Sequence, residues 1–155
     1  MTTRTQIDDF WAQKRLAIVG VSHNPQDFSR QMMGELQKRG YEVYPVNPKI
    51  QDLDGQPCYP QVQNIQPTVD GVIILTQPQI TDQVVQDCAE AGVPRVWMHQ
   101  GGGSGSVSKN AIKYCEEHGI QVVAGYCPFM FMPETPFIHR FHAWTLKLTG
   151  RYPKS

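Results

Sequence analysis

The chain has 155 residues, which suits a single domain with one well-filled core. Its 14 Lys and Arg residues balance its 14 Asp and Glu residues, so it lacks the basic excess that binds a nucleic-acid backbone. It has no apolar stretch near the roughly 20 residues that cross a bilayer, and its polar N-terminus lacks the apolar segment of a signal peptide. We therefore expect a cytoplasmic protein that binds neither nucleic acid nor membranes.

The first predicted element is a short amphipathic helix that carries Ile7, Phe10 and Trp11. Apolar runs rich in β-branched residues then recur, and they predict strands at residues 16–21, 42–46, 71–75, 95–98 and 121–123. Several of these runs are continuous rather than alternating, which is typical of strands covered on both faces.

Segments with helical spacing separate the predicted strands, and each ends at a glycine, the residue favoured at a helix C-terminus. They are Phe28, Met32, Met33 and Leu36 before Gly40; Ile80, Val84, Val85, Cys88 and Ala91 before Gly92; and Val107, Ala111, Ile112 and Cys115 before Gly119. Apolar residues from Phe137 to Leu148 suggest a further, aromatic-rich C-terminal helix.

The alternation of strands and helices predicts an α/β fold, with a doubly wound, mainly parallel five-stranded sheet and helices on both faces. We expect one domain over residues 1–155, with a core at about residues 10–128 and a C-terminal extension at 129–155. In such sheets, ligands bind at the carboxyl ends of the strands where the strand order reverses. The loops after the strands are therefore the candidate site.

The loop after the first strand contains Gly20, Val21, Ser22, His23 and Asn24. A dinucleotide-binding fingerprint needs three glycines here, and only the first is present. The loop still leads into a helix whose N–H groups could face a phosphate, with Arg30 adding a charge. The alternative is an ordinary loop with Ser29 as the helix N-cap.

The loop after the second strand reads Asn47, Pro48, Lys49. A classical NAD site has an acidic residue here to hold the ribose hydroxyls. A lysine instead suits a phosphorylated ribose, either the 3′-phosphate of coenzyme A or the 2′-phosphate of NADP. The alternative is a solvated loop lysine. The third strand is followed by Thr76, Gln77 and Pro78, and the fourth leads into Gln100, Gly101 and further glycines that would let a ligand approach the backbone.

Five segments together resemble the CoA-binding domain family, small Rossmann-like proteins similar to the N-terminal domain of succinyl-CoA synthetase alpha subunits. They are AIVGVSHNP, GYEVYPVNPK, VDGVIILTQP, VPRVWMHQG and GIQVVAGYCP, in the family's order and spacing. The resemblance covers residues 10–128 and implies a CoA-binding site built from the strand-end loops.

The resemblance implies a role for each loop. The first loop, Gly20, Val21, Ser22 and Asn24 with Arg30, would lie against the CoA phosphates. Asn47, Pro48 and Lys49 would flank the 3′-phosphate, Thr76, Gln77 and Pro78 would border the adenine or pantetheine, and Gln100 and Gly101 would form the far wall. Succinyl-CoA synthetase has a second domain with a phosphorylated histidine, which we do not expect in these 155 residues, so the resemblance does not imply ligase activity.

The cysteines Cys58, Cys88, Cys115 and Cys127 are widely spaced without a C-x-x-C pair, which predicts free thiols. Cys127 raises the alternatives of a mixed disulfide with CoA or a metal site with His139 and His142, but we predict an ordinary thiol and no metal. Ser22 and His23 lack an orienting acid, so no catalytic residue is assigned.

The favoured hypothesis is a protein that binds coenzyme A or acyl-CoA and is not an enzyme by itself. The alternatives are an NADP-binding oxidoreductase or sensor, and an interaction subunit without a ligand. The apolar residues of the last forty or so positions suggest a homodimer contact or a cover for the pantetheine arm.

Overall fold

The computed structural model describes residues 2–100 and 105–131. Its main sheet has five parallel strands in the order β2-β1-β5-β6-β7. These are β1 (Arg15–Val19), β2 (Glu42–Val46), β5 (Gly71–Ile74), β6 (Arg95–His99) and β7 (Gln121–Tyr126), while β3 (Asp52–Leu53) and β4 (Gln56–Pro57) pair as a small antiparallel hairpin. The predicted doubly wound parallel sheet is confirmed.

Four α-helices cover the two faces of the sheet in the described part of the chain. They are α1 (Arg4–Trp11), α2 (Phe28–Lys38), α3 (Pro78–Ala91) and α4 (Lys109–Glu117), with short 3₁₀ helices at Val62–Asn64 and Pro128–Met130. The buried apolar residues of α1 and α2 belong to one hydrophobic cluster, and those of α3 and α4 belong to another.

Strand β1 shows why the apolar runs predict central strands. Leu16 and Ile18 belong to the cluster under α1 and α2, whereas Ala17 and Val19 belong to the cluster under α3 and α4. Successive side chains of a strand point to opposite faces, so a strand buried on both faces has to be apolar throughout.

The structure changes several predicted boundaries. Strand β1 ends at Val19 rather than at residue 21, because Val21 is buried by packing in the loop and not by pairing in the sheet. Strand β7 continues to Tyr126, three residues beyond the predicted end. The N-cap of α2 is Asp27, whose side chain accepts a hydrogen bond from the Ser29 N–H, so Ser29 is not the cap.

The β3–β4 hairpin was not predicted. Its turn is Asp54-Gly55, and both residues have positive φ (52° and 88°). A two-residue turn of that kind suits a tight hairpin, and Asp-Gly is a strong sequence signal for it. The hairpin places Asp54 beside Arg30 of α2.

Ile80 is not on the core face of α3, which corrects the prediction from helical spacing. Its side chain is 52% exposed, whereas Val84, Val85 and Cys88 of the same helix are buried. The first turn of α3 extends beside the carboxyl edge of the sheet, where it borders a cleft rather than the core.

The predicted C-terminal helix and the suggested dimer contact lie outside the described residues, since residues 132–155 are not among them. None of the helices within 2–100 and 105–131 combines the length and the apolar character that a membrane span requires.

Candidate functional site

A cleft of about 590 Å³ opens at the carboxyl ends of β1, β2 and β5. Strand β1 leads to β2 on one side, and β5 lies on its other side, so this is the point where the strand order reverses. Open α/β sheets bind ligands at that point. Six of the predicted site residues line the cleft: Gly20, Asn47, Pro48, Lys49, Thr76 and Gln77.

Gly20 lets the loop after β1 lie close to the loop after β5 at the cleft. Its φ is +100°, and a Cβ there would lie 3.3 Å from the carbonyl carbon of Leu75 and 3.4 Å from Thr76. Glycine adopts that conformation readily, and a Cβ at those distances would require its neighbours to move by a few tenths of an ångström.

The loop after β1 holds itself in place through its own polar groups. The Ser22 N–H donates to Ser29 Oγ (3.0 Å), which in turn donates to Asp27 Oδ2 (2.6 Å). The Asn24 N–H donates to Ser22 Oγ (3.0 Å). These amides are therefore occupied, while those of Val21 and His23 have no acceptor among the described residues.

Arg30 is committed to the same loop. Its Nη1 donates to the carbonyl oxygens of Ser22 (3.3 Å) and His23 (3.1 Å), and its Nη2 pairs with Asp54 of the hairpin. The Arg30 side chain is only 10% exposed. It stabilises the loop through these contacts and does not line the cleft.

Asn47 joins the loops after β1 and β2. Its Nδ2 donates to the Val21 carbonyl oxygen (2.8 Å), and its Oδ1 accepts from the Lys49 N–H (2.8 Å). This turn directs Lys49 to the cleft wall, where the ammonium group has no ion-pair partner among the described residues. The cleft thus carries one positive charge on the loop that follows β2.

The loop after β5 begins α3. Thr76 Oγ1 shares a hydrogen bond with Thr81 Oγ1 (3.0 Å), and Thr81 Oγ1 donates to the Gln77 carbonyl oxygen (3.2 Å). Pro78 occupies the first turn of the helix, where its lack of an N–H has little cost. The Gln77 side chain makes no capping hydrogen bond and is free to contact a ligand.

The sequence did not single out His99, which lies at the end of β6. Its ring is 4.9 Å from that of Phe28, and its Nδ1 is buried without a hydrogen-bond partner in the described part of the molecule. Burial lowers the pKa of His99, because a buried site disfavours the charged imidazolium. The Gln100 N–H next to it donates to the Tyr126 carbonyl oxygen (3.3 Å).

Not every predicted site residue lines the cleft. Val21, Ser22, Asn24, Arg30, Pro78 and Gln100 lie outside its wall, and Gly101 lies outside the described residues. Conversely, the cleft includes residues that the sequence analysis missed, namely Pro60, Gln61 and Val62, and Ile80, Gln83 and Asp87 on α3. Helical spacing from Ile80 would have indicated Gln83 and Asp87, once Ile80 was known to face the cleft.

Cys127 is buried, and burial raises the pKa of its thiol, which makes it a poor nucleophile for a mixed disulfide. Within residues 2–100 and 105–131, no three His, Cys, Asp or Glu side chains are grouped to hold a metal ion. His139 and His142 lie outside those ranges.

The parallel sheet and the cleft at its carboxyl edge define a Rossmann-like α/β domain. The chain belongs to the CoA binding domain family, whose model matches residues 14–133. It is similar to the uncharacterized protein YneT of Bacillus subtilis, with 29% identity over 74% of this chain and 82% of that protein.

It is also 25% identical to the ADP-forming acetate–CoA ligase II of Archaeoglobus fulgidus, over 90% of this chain but only 22% of the ligase. The chain thus spans about a fifth of that larger enzyme. Among solved structures, a hypothetical protein from Pyrococcus horikoshii matches with a TM-score of 0.75 and 30% identity, over 82% of this chain and 87% of that one. The dinucleotide-forming acetyl-coenzyme A synthetase 1 of Ca. Korarchaeum cryptofilum matches with a TM-score of 0.64 and 26% identity, over 75% of this chain and 27% of that one.

Proposed function

We propose that the protein binds coenzyme A or an acyl-CoA in the cleft, with Lys49 paired to the 3′-phosphate of the ribose. The observation that carries the proposal is the position of Lys49: an ammonium at the cleft wall that has no ion-pair partner among residues 2–100 and 105–131, where a site for an unphosphorylated ribose would place a carboxylate. Family membership supports it, as do the names of the ligase and synthetase relatives, both of which act on CoA substrates.

The remaining loops take supporting parts in this proposal. Asn47 and Pro48 flank the ribose phosphate, Gly20 allows the nucleotide to lie close to the sheet, and Thr76 and Gln77 border the chain beyond it. The His23 amide, which has no acceptor among the described residues, is assigned to the pyrophosphate. Ser22, Asn24 and Arg30 shape that loop, and the far wall assigned to Gln100 and Gly101 stays a prediction from the sequence.

We further propose that this domain acts as a carrier, sensor or regulatory module without catalysing a reaction by itself. No nucleophile paired with a base lies in the cleft among the described residues. The acetate–CoA ligase and the acetyl-coenzyme A synthetase are much longer proteins, and this domain matches only 22% of the first and 27% of the second.

Isothermal titration of ligand-free protein with CoA, dephospho-CoA and NADP tests the assignment. Lys49→Ala should weaken CoA binding by about tenfold, the effect of losing one charge-assisted contact, and should leave dephospho-CoA binding nearly unchanged. Lys113→Ala is a matched control, because Lys113 is exposed on α4 and pairs with Glu117 away from the cleft. Equal weakening of both ligands would contradict a role for Lys49 in phosphate recognition.

NADP is the second candidate ligand, because Lys49 would suit a 2′-phosphate equally well. The dinucleotide-binding fingerprint needs three glycines here and the first loop has only one, which counts against NADP. Tighter binding of NADP than of CoA would support a dinucleotide-dependent function. Binding of none of these ligands would favour an interaction subunit.

A further inference from the structure

One face of α3 forms a wall of the cleft that the proposed function does not yet use. Ile80, Gln83, Val84 and Asp87 all line the cleft, and their spacing of three, one and three places them on one side of the helix. Among the described residues, Ile80 is the one large apolar side chain that is strongly exposed, at 52%. Exposure of this kind at a cleft favours an apolar ligand surface packed against it.

Asp87 lies on this face in a fixed orientation. Its Oδ1 accepts hydrogen bonds from Gln63 Nε2 (3.0 Å) and from Gln83 Nε2 (3.2 Å). The Oδ2 atom has no donor among the described residues. Two amides therefore hold one carboxylate oxygen of a residue that lines the cleft, and the other oxygen is left as an acceptor among the described residues.

We propose that Asp87 selects the purine of the bound nucleotide by accepting a hydrogen bond from the exocyclic amino group of adenine. The flat base packs against Ile80 and Val84, and Asp87 Oδ2 receives the amine. This inference rests on the proposed CoA-binding function and adds the specificity of the base to it.

The chemistry of the carboxylate makes the selection directional. An ionised carboxylate accepts hydrogen bonds and cannot donate one. Hypoxanthine has a carbonyl oxygen in place of the amino group of adenine, and that oxygen would face the carboxylate with no proton between them. A buried or half-buried pairing of two acceptors disfavours the wrong ligand strongly.

The two charged side chains that line the cleft agree with this assignment. Lys49, on the loop after β2, supplies a cation for the phosphate, whereas Asp87, on α3, supplies an acceptor for the amine. An adenosine 3′-phosphate has an anionic group and a donor group that match this pair. A purely structural role for Asp87 would be to join α3 to the 3₁₀ helix through Gln63. That role explains the hydrogen bond to Oδ1, but it does not involve Oδ2.

The substitution Asp87→Asn gives a sharp test, because the structure predicts how the new amide would orient. Gln63 and Gln83 both donate to Oδ1, so the asparagine carbonyl oxygen should take that position and its Nδ2 should replace Oδ2 at the cleft. The donor would then meet the base. It would repel the amino group of adenine and would pair with the carbonyl oxygen of hypoxanthine.

The measurement is titration of the wild-type chain and of Asp87→Asn with CoA and with its deaminated, hypoxanthine-containing analogue. The wild-type protein should prefer CoA by about tenfold or more, and the variant should prefer the analogue. Asp82→Asn is the control: Asp82 lies on the same helix but accepts a hydrogen bond from Ser108 outside the cleft, so this variant should keep the wild-type preference.

Each other outcome overturns the inference. If the wild-type protein binds CoA and its analogue equally, or if Asp87→Asn keeps the wild-type ratio, Asp87 does not read the base and CoA binding itself still stands. Loss of both ligands in a variant that unfolds at the wild-type temperature would assign Asp87 to the shape of the cleft. Failure of the wild-type protein to bind either ligand would overturn the proposed function as well.

Discussion

Single residues close the loop between β6 and α4. Gly105 has a φ of +64°, and a Cβ there would lie 2.3 Å from the His99 carbonyl oxygen, so only glycine permits this return of the chain. The next residue, Ser106, is fully buried, and its N–H donates to that carbonyl oxygen (2.8 Å). Its Oγ donates to the Ile74 carbonyl oxygen (2.7 Å). Ser106 therefore connects the carboxyl ends of β5 and β6 beside the candidate site.

Ser106→Ala should lower the free energy of unfolding by about 1 to 3 kcal/mol, because it removes a buried hydroxyl that bonds to a buried carbonyl group. Equilibrium unfolding in urea measures the change, which should appear in the midpoint with an unchanged m-value. A loss below about 0.5 kcal/mol, the range of ordinary surface substitutions, would show that the hydroxyl has no such role.

At the scale of elements, α1 shows how an apolar face and a polar anchor act together. Ile7, Phe10 and Trp11 are buried, and the ring centroids of Phe10 and Trp11 lie 5.4 Å and 5.3 Å from that of Trp97 on β6. On the polar side, Arg95 Nε donates to Asp9 Oδ2 (2.6 Å). The helix is thus attached to the sheet by both its hydrophobic and its charged residues.

The Asp9–Arg95 pair should make part of the stability depend on pH. The hydrogen bond from Arg95 lowers the pKa of Asp9 from its ordinary 3.8, against a smaller effect of burial that raises it. A carboxyl whose pKa is lower in the folded state stabilises the fold above its unfolded pKa, and that contribution is lost as the pH falls through the folded value. Because 39% of the Asp9 side chain is exposed, the contribution is screened and should stay below about 1 kcal/mol.

Asp9→Asn should therefore destabilise the protein slightly at pH 7, and the difference from wild type should shrink below about pH 4. Urea unfolding at a series of pH values measures it. Asp8→Asn serves as the comparison, since Asp8 is 62% exposed and, in the described part of the chain, its ion pair is with Arg4 of the same helix. A constant difference between wild type and Asp9→Asn from pH 7 to about pH 2 would contradict the electrostatic origin.

The sequence predicts elements well where one local pattern determines them. The helices α2, α3 and α4 follow from apolar spacing, and Gly92 ends α3 with a positive φ of 77°, as a C-cap glycine should. Spacing does not reveal that the first turn of α3 extends along a cleft, so the exposure of Ile80 was missed. It also does not reveal pairing across loops, which is why the engagement of Arg30 with Asp54 appears only in the structure.

For the candidate site, the sequence predicted the location better than the individual residues. Its location followed from topology, because parallel strands bring their carboxyl ends to one edge of the sheet. Which loop residues face the cleft depends on side-chain hydrogen bonds that no spacing rule describes. Ser22 illustrates the point, since its amide is taken by Ser29 Oγ rather than left to a ligand.

At the scale of the whole molecule, buried cysteines lie on both sides of the sheet. Cys58 and Cys127 lie in the cluster under α1 and α2, and Cys88 and Cys115 lie in the cluster under α3 and α4. Burial raises the pKa of every one of these thiols, and that of Cys115 rises to about 12. Thiolate, the reactive form, is therefore scarce in the folded protein.

A thiol-specific disulfide reagent should consequently label none of the four cysteines quickly at pH 8 and all of them after denaturation. When local or global opening of the protein is fast relative to labelling, the labelling rate follows the population of the open state.

Adenosine 3′,5′-bisphosphate has no thiol and carries the groups assigned to the cleft. At 100 times its dissociation constant it should therefore slow the labelling of Cys88 and Cys127 alike by about 100-fold. Equal protection would mean that both faces open together in one global transition. Rapid labelling of Cys127 alone, unaffected by the nucleotide, would instead show that the segment after β7 opens separately and that this thiol is accessible after all.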